Sequence, residues 1–79
     1  MKNVTIYSTP TCSFCKMAKQ YFTENNVAYT EIDVAADEVA REKMFTISKQ
    51  MGVPVIDIDG EVTVGFNKPK LAQLLGLSA

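Results

Sequence analysis

Two cysteines separated by two residues, Cys12 and Cys15, stand where a strand-like run gives way to a helix-like one. That placement constrains the chain more than any other feature. Before them, Val4-Thr5-Ile6-Tyr7 is rich in β-branched and aromatic residues, the composition of a strand. After them, Phe14, Met17, Ala18, Tyr21 and Phe22 recur at i, i+3, i+4, i+7 and i+8, which lays them on one face of an amphipathic helix. The first turn of a helix carries free backbone N–H groups and the positive end of the macrodipole, and both stabilise a thiolate over a thiol. Cys12 is therefore expected to titrate well below a free thiol, in the range of about 3.5–7.5 found at such positions. Cys15, one turn on, is expected to be more buried. An exposed acidic thiol with a second thiol one turn behind it suits dithiol–disulfide exchange.

The rest of the composition narrows the chemistry. These are the only cysteines, and there is no histidine. Cys–His nucleophilic catalysis, histidine acid–base work and Cys/His zinc sites all lack a necessary residue. With 79 residues the chain is expected to form one domain over 1–79, near the lower size limit for a self-sufficient core. A net charge of -1 leaves no basic footprint for nucleic acid. No apolar run reaches the length of a membrane span, and residues 1–15 lack the pattern of a secretory signal. The expected address is the cytoplasm. In that reducing compartment a cysteine pair is better read as redox-active or metal-binding than as a permanent bridge.

Along the chain, residues 3–7 read as the first strand, and Ser8-Thr9-Pro10-Thr11 as the loop presenting the cysteines. The first helix is expected over 13–24, stopping at Asn25-Asn26, residues that tolerate the left-handed conformation. A second strand is expected over 27–33 with Ala28, Tyr29 and Ile32 inward, parallel to the first through a right-handed crossover. Asp37 and Glu38 open a second helix with Val39, Ala40, Met44 and Ile47 as its apolar face, ending near Gln50 with Gly52 as a stop. Strands over 55–58 and 61–64 flank Asp59-Gly60, a two-residue hairpin signal. Asn67 is a good N-cap, Pro69 is tolerated in the first turn, and Leu71, Leu74 and Leu75 form a stripe that Gly76 ends. The expected architecture is α/β, β-α-β-α-β-β-α, with a mixed four-stranded sheet flanked by three helices.

This order, together with Tyr7-Ser8-Thr9-Pro10-Thr11-Cys12-Ser13-Phe14-Cys15, Gly52-Val53-Pro54-Val55 and Gly65-Phe66, resembles the thioredoxin fold and, within it, the glutaredoxin-like redoxins. The resemblance covers essentially the whole chain. The tail Gly65-Phe66-Asn67-Lys68 followed by a leucine-rich helix is similar to that of short redoxins, including those that feed electrons to ribonucleotide reductase. The resemblance implies a thiol–disulfide oxidoreductase that reduces disulfides of proteins or small molecules, with Cys12 attacking and Cys15 resolving. It implies a cis peptide bond before Pro54 and a substrate chain pairing with the backbone of Val53 as an added strand. Thr11, Ser13, Phe14, Val53 and Pro54 are then expected at the substrate groove, and Gly65 and Phe66 at its border. No cofactor beyond the Cys12–Cys15 disulfide and no metal is implied, and the protein is expected to be a monomer. The potential is expected between about −270 and −200 mV.

Two positions depart from the glutathione-using members. Thr9 stands where they often carry a basic residue. Asn67-Lys68 stands where they carry a polar or acidic pair that holds the end of glutathione. This places a thioredoxin-reductase-type flavoenzyme beside glutathione as electron donor. The alternative from another class is a dimeric iron–sulfur or zinc module bridged by Cys12, since a closed metal site needs four thiolates and one chain offers two. Phe14 and Phe66 each read equally well as a rim residue or a core residue. Tyr7, Met17, Met44 and Met51 read as core, Lys16 and Lys19 as a solvated helix face, and Asp33 as a turn residue. Lys68 and Lys70 sit at the helix end that disfavours cations, which hints at docking of an acidic partner.

Overall fold

A computed structural model describes residues 3–50 and 52–77. Met51 lies outside the described residues. In chain order the elements are β1 (Val4–Ser8), α1 (Ser13–Glu24), β2 (Thr30–Asp33), α2 (Glu38–Ser48), β3 (Val55–Ile58), β4 (Glu61–Val64) and α3 (Lys68–Leu75). The four strands form one sheet in the order β2-β1-β3-β4. β1 and β2 are parallel, with Tyr7 opposite Ile32 and Ser8 opposite Asp33. β1 and β3 are antiparallel, with Tyr7 opposite Val55, and β3 and β4 form the hairpin, with Val55 opposite Val64. This is the thioredoxin fold expected from the sequence.

Alternation along the strands divides the core between the two faces of the sheet. Val4, Ile6, Ile56 and Ile58 point to one face, where Ala18 and Phe22 of α1 and Leu71 of α3 close over them. Tyr7 and Val55 point to the other, against Ala40 and Met44 of α2 and Val34. The helices are held by their caps. Cys12, Asp37 and Asn67 each accept a backbone N–H from three residues ahead, which satisfies one of the free donors of the first turn. At the hairpin, Asp59 and Gly60 both take positive φ, 50° and 92°. That conformation matches the twist of the paired strands and is the reason for an Asp-Gly there.

Some expectations are corrected. β2 begins at Thr30, not at Val27. Val27 donates its N–H to the Phe22 carbonyl at 2.8 Å, so residues just after α1 complete its C-terminus before the chain can pair with β1. Ala28 is accordingly exposed. In α2, Val39 is 78% exposed. The inward stripe is Ala40, Met44 and Ile47, at i, i+4 and i+7, and Val39 stands one residue, about 100°, off it. α2 also stops earlier than expected. Lys49 takes the left-handed conformation at φ 59°, three residues ahead of Gly52. In α1, Met17 is half-exposed rather than core.

Candidate active site

Strand directions decide which residues meet. β1 runs toward Ser8, and β2, parallel to it, ends at Asp33 beside it. β3 runs the other way, so its first residue Val55 lies opposite Tyr7, and Pro54 stands at the same end of the sheet as Ser8. β4 ends at Val64 opposite Val55, and the next N–H, from Gly65, donates to the Pro54 carbonyl at 2.8 Å. The cysteine loop, the Val53-Pro54 segment and Gly65 therefore gather at one end of the sheet. The Val53–Pro54 peptide bond is cis, as the resemblance implied.

Within this end, Cys12 is the N-cap of α1 and remains partly exposed, whereas Cys15 is 0% exposed. The two are joined as a disulfide with their Cα atoms 5.2 Å apart. The Cys15 N–H donates to Cys12 Sγ at 3.1 Å. A backbone donor from the first turn thus points at Cys12 sulfur, at the positive end of the helix. No acidic side chain occupies the first turn of α1 to offset that field. Cys12 also donates its own N–H to the Thr9 carbonyl at 3.3 Å, which fixes the loop that presents it. This arrangement holds the sulfur of a partly exposed cysteine in a field favouring its anion, with a second sulfur within bonding reach behind it. Chemically it can open and close a disulfide.

The surrounding residues sort differently. Thr11 and Ser13 are exposed beside Cys12, and Pro54 is buried. Phe14, open as rim or core in the sequence, is 58% exposed on the first turn of α1, and Met17 stands one turn beyond it. Phe66 resolves the other way. It is partly buried against the α1–α3 core, with its ring edge-on to Tyr21 at 6.0 Å. Asn67 is occupied by its cap to the Lys70 N–H. The Lys68 ammonium lies over the Tyr21 ring at 5.8 Å, so the cation at the start of α3 has an aromatic face as neighbour. Asp33 is the last residue of β2 rather than a turn residue, and its carboxylate accepts the Ala35 N–H of the turn that follows.

Sequence reasoning missed one group altogether. Ser8 belongs to β1, not to the loop, and is buried. Its hydroxyl donates to Glu31 Oε2 at 2.9 Å, and Lys19 Nζ donates to the same oxygen at 2.6 Å. Lys19 is therefore paired across to β2 rather than standing on a merely solvated face. These two hydrogen bonds, the lysine's first, hold the Glu31 carboxyl below its usual range against a smaller opposing effect of burial. No local signal in the sequence links positions 8, 19 and 31. The contact exists only because the crossover brings α1 over the β1–β2 pair.

Comparison with known proteins follows the same outline. The glutaredoxin family model matches residues 4–63. An uncharacterised glutaredoxin-like 8.6 kDa protein in the rubredoxin operon of Clostridium pasteurianum is 49% identical over 72 residues, covering 91% of this chain and 96% of that protein. The glutaredoxin-like protein NrdH of Lactococcus lactis subsp. cremoris is 34% identical over 71 residues, covering 90% and 97%. Among solved structures, a single-site variant of the thioredoxin-like protein BC3987 superposes with a TM-score of 0.91 at 40% identity, covering 99% of this chain and 100% of that one.

Proposed function

The chain belongs to the glutaredoxin family, and from that premise we propose that it reduces protein disulfides with Cys12 as attacking thiolate and Cys15 as resolving thiol. A thiol–disulfide oxidoreductase is the function that the family and the Cys12–Cys15 disulfide support. The observation that carries the division of labour is the difference in access. Cys12 is partly exposed and its Sγ receives the Cys15 N–H, while Cys15 is fully buried. In the first step the Cys12 thiolate attacks one substrate sulfur. A mixed disulfide forms, and the other substrate sulfur leaves as a thiolate and takes a proton. In the second step Cys15 gives up its proton and attacks Cys12 sulfur. The second substrate thiol leaves, and the Cys12–Cys15 bond remains. Stabilising the Cys12 thiolate helps twice, as nucleophile at neutral pH and as leaving group when Cys15 attacks. Phe14, 58% exposed beside the cysteines, is the apolar surface on which the substrate chain rests, with the Val53 backbone as pairing edge.

The electrons, in this reading, come from a thioredoxin-reductase-type flavoenzyme rather than from glutathione. Asn67 and Lys68, which stand in place of the glutathione-holding pair, and Phe66 before them already have partners within the chain. Phe66 packs on Tyr21, Asn67 caps α3 and Lys68 covers the Tyr21 ring. None of them presents an acidic contact. The test is to recycle the oxidised protein in two systems run side by side, NADPH with thioredoxin reductase, and NADPH with glutathione reductase and glutathione. Turnover with the flavoenzyme alone is the expected result. Turnover with glutathione at a comparable rate overturns the assignment of donor. No observation favours the alternative of a metal bridged between two Cys12 thiolates.

A further inference from the structure

The junction of Ser8, Lys19 and Glu31 has no part in the exchange reaction just described, yet it spans the three elements that surround the cysteine loop. One carboxylate oxygen of Glu31, on β2, accepts both the Ser8 hydroxyl at the end of β1 and the Lys19 ammonium on α1. Only Thr9, Pro10 and Thr11 separate Ser8 from Cys12. Both ends of that short link are tied, because the Ser8 carbonyl accepts the Val34 N–H at 2.9 Å and the Cys12 N–H donates to Thr9. Lys19 stands seven residues beyond Cys12 on the same helix face, about 10 Å along the axis at the helical rise per residue.

We propose that Glu31 is a positioning and tuning residue for the redox pair. Its charge cancels that of Lys19 and so holds down the positive field that α1 presents to the Cys12 thiolate, while its two hydrogen bonds hold the helix against β1. This rests on the reading of Cys12 as the reactive thiol. Removing only the charge, as in Glu31→Gln, leaves an oxygen able to accept from Lys19 or Ser8 but leaves the lysine uncancelled. The Cys12 thiolate is then stabilised and the reduced state favoured. Removing the cation, as in Lys19→Met, leaves the carboxylate alone and acts in the opposite sense. For a unit charge about 10 Å away, between interior and aqueous screening, each change moves the thiol–thiolate equilibrium by roughly twofold to tenfold.

The test titrates Cys12 by its ultraviolet thiolate absorbance in a Cys15→Ser background, so that a single thiol is seen. It is combined with equilibration of the Cys15-containing proteins against dithiothreitol. In that equilibration the Cys12–Cys15 bond opens to two thiols as dithiothreitol closes to its cyclic disulfide, two electrons and two protons passing between them. Glu31→Gln is expected to lower the Cys12 titration midpoint and to favour the reduced protein. Lys19→Met is expected to do the reverse, and the double variant to return close to the parent. Ser8→Ala, which removes a hydroxyl and no charge, is expected to lower the melting temperature and leave the titration unmoved. Both charge variants moving the titration the same way, or neither moving it, overturns the proposal and leaves the junction as structural bracing. Failure of the underlying reading is seen separately, as disulfide reductase activity retained in Cys12→Ser, which the titration does not touch.

Discussion

Phe14 and Phe22 lie on the same helix, eight residues apart, and the account assigns them opposite duties. Cutting each back to alanine separates those duties. Phe22 is 0% exposed and packs among Val4, Ile6, Ile56 and Leu71, with its ring 5.6 Å from that of Tyr29. Removing a phenylalanine ring from such a site costs about 3–5 kcal/mol, transfer and cavity effects together. A chain of this length has roughly 4–12 kcal/mol to lose. Phe22→Ala is therefore expected to lower the melting temperature by some 12 °C or more, at about 4–8 °C per kcal/mol for a domain of this size. Phe14 is 58% exposed. Its removal frees little buried area and leaves no enclosed cavity, so the cost is expected to stay near the roughly 0.5 kcal/mol of ordinary surface substitutions. Phe14→Ala is instead expected to lower kcat/KM toward a protein disulfide while leaving that toward a small disulfide such as cystine nearly unchanged, because only the larger substrate reaches the ring. Urea denaturation followed by circular dichroism reads the first quantity, with an unchanged slope marking a true stability change. Steady-state reduction of the two substrates reads the second. Phe14→Ala destabilising as much as Phe22→Ala, or slowing both substrates equally, refutes the assignment.

Two further expectations concern side chains at the edges of the sheet. The hydroxyl of Thr63 in β4 is buried and has no hydrogen-bond partner among the described residues. Thr63→Val, of the same shape, is expected to raise the urea midpoint by about 1–2 kcal/mol of stability, since an unpaired buried polar group costs about 1–3 kcal/mol, and a lowered midpoint contradicts this. Glu31 has its carboxyl held below the usual carboxylate range in the folded state by Lys19 and Ser8. Its contribution is thus fully present above the unfolded pKa and lost as pH falls through the lower folded value. A comparison of wild type with Glu31→Gln across acid pH is expected to show a small advantage for wild type near neutrality, small because the side chain is 41% exposed. That advantage is expected to vanish in acid, and an advantage that grows in acid contradicts the sign.

Local chemistry carried most of the fold. The opening of α2 at Asp37 and Glu38, the cap at Asn67, the Asp59-Gly60 turn and the Gly76 stop act through neighbours a few residues away, and the sequence displays those neighbours directly. The errors arose where tertiary packing chooses between local options. Val39 and Ala40 are adjacent and both apolar, and only the position of the sheet decides that Ala40 faces it. Val27 looks like a strand residue, yet its N–H serves the end of α1. Phe14 and Phe66 were indistinguishable by type. One lands on the open first turn, the other between α1 and α3, because the hairpin returns the chain across α1. At the site, the cysteine pair was legible from spacing and helix position together. The Ser8–Lys19–Glu31 junction was not, because it joins three elements through side chains of ordinary composition.

The most direct test of the division between the cysteines is to trap the intermediate. Cys15→Ser and Cys12→Ser are each mixed with a disulfide-containing protein substrate, quenched in acid, and weighed intact by mass spectrometry. The account predicts a mixed disulfide that accumulates on Cys12 in Cys15→Ser, because the resolving thiol is gone, and no adduct in Cys12→Ser, because Cys15 is buried. An adduct on Cys15 in Cys12→Ser, formed at a comparable rate, contradicts it and reverses the roles of the two thiols.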